Sequence, residues 1–72
     1  MTICDMKSGQ SGRVMKIDTE GALRNRIFDM GVTPGVSVTL IKTAPLGDPV
    51  EISLRGYSLS LRKSEASVIT VE

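Results

Sequence analysis

The sequence contains no histidine and no tryptophan, and it has one cysteine, Cys4, among its 72 residues. Histidine is the commonest general base and the commonest metal ligand, so its absence argues against Ser-His-Asp and Cys-His catalysis and against the usual zinc sites. A lone cysteine excludes an internal disulfide. We interpret Cys4 as an incidental thiol, because nothing near it in the sequence is arranged to make it reactive.

The sequence also has no large excess of charge of one sign, few aromatic residues and no long apolar run. Nine Lys and Arg residues against eight Asp and Glu residues give a net charge of +1, and there is one Phe and one Tyr. Nucleic-acid binders usually carry clustered positive charge or aromatic side chains for base stacking, so no nucleic-acid partner is predicted. No run approaches the ~20 apolar residues that span a membrane, and the first residues do not resemble a signal peptide. These absences predict a cytoplasmic protein without direct membrane insertion.

A chain of this length supports one hydrophobic core, so we predict a single domain over residues 1–72. Such a core leaves no residues for a deep catalytic cleft. The phosphate-binding motif G-x-x-x-x-G-K-[ST] is absent, and the scattered carboxylates are typical of solvated loops and strands. We predict no enzyme activity, no catalytic residue and no cofactor. A metal site within one chain is not predicted either, although a weak or intersubunit site stays open.

One segment has the apolar spacing of a helix. Leu23, Ile27 and Met30 stand four and three residues apart and therefore share one helical face. Gly31 follows at a position where helices commonly end in a left-handed residue. The spacing predicts a short helix over residues 20–30, with its apolar stripe packed on the core.

The remaining apolar residues alternate with polar ones, as in strands that bury one face. The alternation runs through residues 36–40, 50–54, 57–61 and 69–71, and a less regular first strand with a bulge is predicted over residues 12–18. Five short antiparallel strands bury one apolar face most economically by curling into a small closed barrel. A helix directly after the first strand favours a mainly β, SH3-like barrel over an OB-fold, and this helix would cover one open end.

The connections between the later strands differ in length. Arg55 and Gly56 predict a tight hairpin turn, and residues 63–66 a short turn of about one helical turn. Residues 43–49 form the longest break and contain two prolines. Leu46 lies between these prolines and has two interpretations: an apolar tip on a stiffened loop suited to protein recognition, or a side chain that folds back to cap the barrel.

Almost the whole chain, from about residue 6 to residue 72, resembles the FeoA family of ferrous-iron-transport accessory proteins. The resemblance is carried by three motifs in order: LRNRIFDMGVTPG at 23–35, APLGDP at 44–49, and GYSLSLRKSEA at 56–66 followed by Ile69 and Val71. It implies an SH3-like barrel and a cytoplasmic partner of FeoB, the membrane ferrous-iron permease with a cytosolic GTP-binding domain. The family is often described as transition-metal-binding, and its barrel resembles the C-terminal domain of iron-dependent repressors.

We therefore expect a non-enzymatic module that binds the cytosolic part of the permease and modulates it. The predicted contact surface combines the outer face of the helix with the loop tip. Its residues are Arg24, Arg26, Asp29, Pro45, Leu46 and Asp48. Two alternatives stay open: a free-standing regulatory barrel of the repressor type, and a weak transition-metal-binding protein. A weak homo-oligomer also stays open, because small barrels with free strand edges do pair.

Overall fold

The computed structural model describes all 72 residues and contains one five-stranded antiparallel sheet. The strands are β1 Ser11–Ile17, β2 Ser37–Thr43, β3 Val50–Leu54, β4 Tyr57–Leu61 and β5 Ile69–Val71. The helices are α1 Gly21–Asp29 and α2 Lys63–Ala66, and a 3₁₀ turn spans Ile3–Asp5. The mainly β architecture, with one longer helix after the first strand, agrees with the prediction. None of the helices is both long enough and apolar enough to cross a membrane.

Strand order in the sheet is β4-β3-β2-β1-β5, so consecutive strands are neighbours except where β5 returns to pair with β1. The β3–β4 hairpin is regular, with pairs running without a break from Val50–Leu61 to Leu54–Tyr57. Its two-residue turn has φ of +48° at Arg55 and +84° at Gly56. Positive φ at both central residues matches the twist of the flanking strands, which is why this turn closes the hairpin tightly.

A bulge interrupts β1, as the irregular spacing of its apolar residues predicted. The register against β5 shifts between Val14 and Lys16, and Met15 at that point is exposed. The extra residue allows Val14 and Ile17, three positions apart, both to face the core.

The core consists of buried aliphatic side chains from every strand, with one fully buried residue from α1. Its members are Ile3, Met6, Val14, Ile17, Ile27, Val32, Val36, Val38, Leu40, Val50, Ile52, Leu54, Leu61, Ala66, Ile69 and Val71. Ile27 anchors the helix, while Leu23 and Met30 pack at the margin of the core. Tyr57, which the alternation placed on the buried face, is instead 42% exposed. Its hydroxyl donates a hydrogen bond to the Met30 carbonyl at 2.7 Å, at the end of α1.

The prediction of a closed barrel was wrong, because β4 and β5 do not pair. The outer edge of β5 is occupied by the N-terminal segment, where the Val71 N–H donates to the Met1 carbonyl at 2.8 Å and Thr2 bridges Thr70. Between the two strands the chain forms α2, which packs against β4 and the 3₁₀ turn. The chain thus passes from β4 to β5 of this SH3-like sheet through α2, which rests on the 3₁₀ turn, and Ser58 and Ser60 of β4 stay exposed.

Candidate interaction surface

The loop between β2 and β3 is closed by its own backbone hydrogen bonds. The Gly47 N–H donates to the Ala44 carbonyl at 2.8 Å, which makes a four-residue turn with Pro45 at its second position. The Ala44 N–H donates to the Pro49 carbonyl at 3.0 Å and joins the base of the loop. Leu46 stands at the tip and is 94% exposed, so it does not fold back to cap the barrel. We call residues 44–49 the tip loop.

Asp48 connects the tip loop to α2. Its Oδ1 accepts a hydrogen bond from the Lys63 N–H at 3.3 Å, although the residue is exposed overall. This contact fixes one side of the loop relative to the helix that follows β4. Asp48 therefore has a positioning role that its place in the sequence did not indicate.

A groove of about 350 Å³ lies at the base of the tip loop. Its lining combines tip-loop residues, Pro45 and Pro49 among them, with residues near the adjoining ends of β2, β3 and β4. Lys42 and Glu51 face each other there, with Nζ and Oε1 3.8 Å apart. Sequence reasoning singled out the loop but not this groove, because the groove forms only when the bulged end of β2 pairs with β3.

On α1, two of the predicted residues are exposed and make no ion pair. The Arg24 guanidinium lies over the Phe28 ring, 4.4 Å from its centroid. This stacking between residues four apart on the helix holds the cation close to the helix surface. Asp29 is exposed at the last turn. Both charges are available to a partner.

Arg26 has a different environment, because its Nε lies 2.9 Å from the Oε2 of Glu65. The Glu65 side chain is almost completely buried, while that of Arg26 is 60% exposed. Glu65 Oε1 accepts a second hydrogen bond, from the Arg62 N–H at 2.9 Å. The carboxylate thus accepts a hydrogen bond from the backbone N–H at the start of α2, and its ion pair with Arg26 also joins α1 to α2. Sequence reasoning missed Glu65, whose one signal is an acidic residue three positions after a helix cap.

Two of the six predicted surface residues are linked to α2. Arg26 reaches α2 through Glu65, and Asp48 reaches it through the Lys63 N–H. The side chains of Arg24, Asp29 and Leu46 make no polar contact with α2. All six residues of the predicted surface are exposed. No three His, Cys, Asp or Glu side chains come together in the structure.

Cys4 lies beside the start of α2, with Sγ 3.8 Å from the Lys63 carbonyl oxygen. Burial raises the pKa of this thiol; the nearby Lys63 charge opposes the rise and the Asp5 charge adds to it. A raised pKa leaves less thiolate at neutral pH, and thiolate is the nucleophilic form.

We accordingly expect Cys4 to react more slowly with Ellman's reagent than free glutathione does at pH 7.5. The rate should keep rising with pH beyond the point at which an unperturbed thiol has levelled off, because deprotonation of Cys4 occurs at higher pH. Stopped-flow absorbance between pH 6 and pH 10 measures this. A rate that levels off below pH 8 would contradict the expectation.

The comparisons with known proteins agree on one family. The family model for the FeoA domain matches residues 1–72. A fusion of Fe(2+) transport protein A with the Fe(2+) transporter FeoB, from Porphyromonas gingivalis, is 33% identical over all 72 residues. The chain spans only 8% of the length of that relative.

Solved structures show the same fold. The FeoA-like protein of Clostridium acetobutylicum matches the whole chain and 84% of its own length at 42% identity, with a TM-score of 0.92. A zinc complex of Stenotrophomonas maltophilia FeoA, described as an SH3 domain protein, matches the whole chain and 89% of its own length at 24% identity, with a TM-score of 0.80.

A manganese-dependent transcriptional repressor shares the fold at 15% identity over 35% of its length, with a TM-score of 0.92. At that identity the likeness concerns the fold alone. The match over every residue and the agreement with solved relatives establish that this chain belongs to the FeoA family of ferrous iron transport proteins.

Proposed function

We propose that this protein is a non-enzymatic, cytoplasmic accessory protein of ferrous iron uptake. It binds the cytosolic, GTPase-containing part of a FeoB-type permease and modulates it. The observation that carries this proposal is the relative in which an FeoA sequence and FeoB are one polypeptide. Fusion raises the effective concentration of one module at the other, which is useful where the two act together.

The tip loop is the part of the surface best suited to contact the permease. Its own hydrogen bonds and two prolines restrict its conformations, so docking costs less conformational entropy. Leu46 projects 94% of its surface into solvent. Burying a leucine side chain contributes about 1.5–3 kcal/mol, which is the scale of an interface hot spot. Arg24 and Asp29 supply exposed charges for a second contact region on α1.

The change Leu46→Asp should weaken binding to the purified cytosolic domain of the permease from the same organism by at least tenfold. Tenfold corresponds to about 1.4 kcal/mol, less than the burial of one leucine. Isothermal titration calorimetry measures the affinity. Met15→Asp is the matched control, because Met15 is an exposed apolar residue on β1 and should leave the affinity unchanged.

The possible outcomes distinguish an error in the contact site from an error in the partner. Equal affinity of the folded Leu46→Asp variant and the wild type would contradict the tip loop as the contact site. Absence of binding by the wild type would contradict the permease as partner. A pull-down from cytosol and membranes that returned a transcription factor instead would support the regulatory alternative. Anaerobic titration with ferrous iron tests the metal-carrier alternative, for which micromolar or tighter binding is the supporting result.

A further inference from the structure

Strand β4 forms one border of the sheet, and the backbone on its outer side is unpaired. The two-residue turn makes Leu54 and Tyr57 a hydrogen-bonded pair. In an antiparallel ladder such pairs alternate, so the N–H and C=O groups of Ser58 and Ser60 point away from β3. No backbone or side-chain group elsewhere in the chain hydrogen-bonds to them. Both serines are exposed.

The opposite border of the sheet, the outer edge of β5, is paired. The outer edge of β5 is covered by the N-terminal segment through the Val71–Met1 hydrogen bond and the Thr2–Thr70 bridge. Natural sheets usually protect an exposed edge with an inward charge, a proline or a bulge. Strand β4 has none of these: its sequence is YSLSL, and its register against β3 is unbroken. The edge is therefore ready to accept a further strand.

Positive charge flanks this edge at both ends. Arg55 lies in the turn before β4, and Arg62 and Lys63 follow its last residue. All three residues are exposed, and none of them forms an ion pair. Of the nearby carboxylates, Glu51 faces Lys42 and Glu65 faces Arg26. Asp48 accepts from the Lys63 N–H, so the end of the edge that carries Arg62 and Lys63 keeps two cations against one carboxylate. A strand added here would meet an uncharged centre between two cationic ends.

We propose that the free edge of β4 binds an extended, acidic segment of a partner protein as a sixth strand. Backbone hydrogen bonds to Ser58 and Ser60 would supply the pairing, and carboxylates at both ends of the segment would face the flanking cations. A second copy of this chain is a poorer occupant. Antiparallel self-pairing over the whole strand, centred on Leu59, places Arg55 opposite Lys63 of the copy, and like charges in that position repel. The edge adjoins the groove at the base of the tip loop, which Ser60 also lines, but the proposal does not rest on Leu46.

The probe is a synthetic peptide of alternating threonine and valine with two glutamates at each end, titrated into the ¹⁵N-labelled protein. We expect the amide resonances of Ser58 and Ser60 to shift more than any others. The same peptide with lysines in place of the glutamates should not bind. Ser60→Pro should abolish binding while the rest of the spectrum stays dispersed, because the lost N–H is one that β3 does not use.

Charge reversal provides the matched comparison. Arg62→Glu combined with Lys63→Glu should weaken binding of the acidic peptide about tenfold, because repulsion replaces two attractions. Arg13→Glu combined with Lys16→Glu makes the same change in net charge on exposed residues of β1 and should have little effect. Equal binding of both peptides, or shifts centred outside β4, would overturn the proposal. So would a dimer in sedimentation experiments whose interface protects the Ser58 and Ser60 amides.

Discussion

Gly31→Ala will destabilise the fold by about 3 kcal/mol, the combined cost of a strained backbone and a lost hydrogen bond. Gly31 has a φ of +92°, a conformation that residues with a side chain adopt only at a cost. A Cβ at this position would also collide with the Tyr57 hydroxyl oxygen. That oxygen is held in place by its hydrogen bond to the Met30 carbonyl. The methyl group therefore disturbs the contact that fixes the end of α1 against β4.

Gly35→Ala is the matched control for this prediction. Gly35 has almost the same φ, +94°, but a Cβ there would meet no atom within 4 Å. Gly35→Ala should lower the free energy of unfolding by about 1–2 kcal/mol, which is the effect of the backbone conformation alone. Urea denaturation of both variants measures the difference, which we assign to the collision with Tyr57.

Removing the hydroxyl tests the assignment directly. Tyr57→Phe alone should cost about 1 kcal/mol, because it deletes one hydrogen bond. In the Gly31→Ala background the same change should cost nothing or restore stability, since the colliding oxygen is gone. Equal destabilisation by Gly31→Ala and Gly35→Ala would contradict the collision, because it would show that the Tyr57 ring moves aside freely.

Local sequence patterns predicted most of the fold, because helices and tight turns are determined mainly by residues close together in the sequence. The spacing of Leu23, Ile27 and Met30 identified the helix, and the Arg55-Gly56 pair identified the hairpin. Alternation tells which face of a strand is buried, but it does not tell which edges pair. Closure of the barrel was therefore predicted wrongly. The N-terminal segment occupies the edge of β5 with which β4 would have to pair, and its sequence has no strand periodicity that would predict this pairing.

The candidate surface was less predictable, because it depends on contacts between distant parts of the chain. Exposure of Leu46 could not be decided from the sequence, since a tip side chain can point either way from the same turn. Arg24 and Arg26 stand two positions apart and therefore flank the apolar stripe of α1 on opposite sides, and the sequence does not tell which side meets another element. Only the fold shows that one stacks on Phe28 and the other pairs with Glu65.

This difference between the two arginines leads to the second large effect. Arg26→Ala should destabilise the protein by about 2 kcal/mol, because it leaves the Glu65 carboxylate buried without its cation. Breaking a fully buried pair costs more, about 3–5 kcal/mol, but water can reach this one through the exposed Arg26 side. Arg24→Ala removes an exposed cation–π contact from the same helix and should cost less than about 1 kcal/mol. Thermal unfolding of the two variants compares them.

A double-mutant cycle separates the ion pair from other effects of the truncation. Glu65→Gln keeps an oxygen that can accept from the Arg62 N–H but removes the charge that Arg26 faces. In the Glu65→Gln background, Arg26→Ala should therefore cost at least about 1 kcal/mol less than in the wild type, because no buried carboxylate is left unpaired. Additive losses would mean that Arg26 stabilises the fold through its aliphatic stem rather than through Glu65. Coupling of at least about 1 kcal/mol would show that Arg26 stabilises the fold by pairing with the buried Glu65 carboxylate.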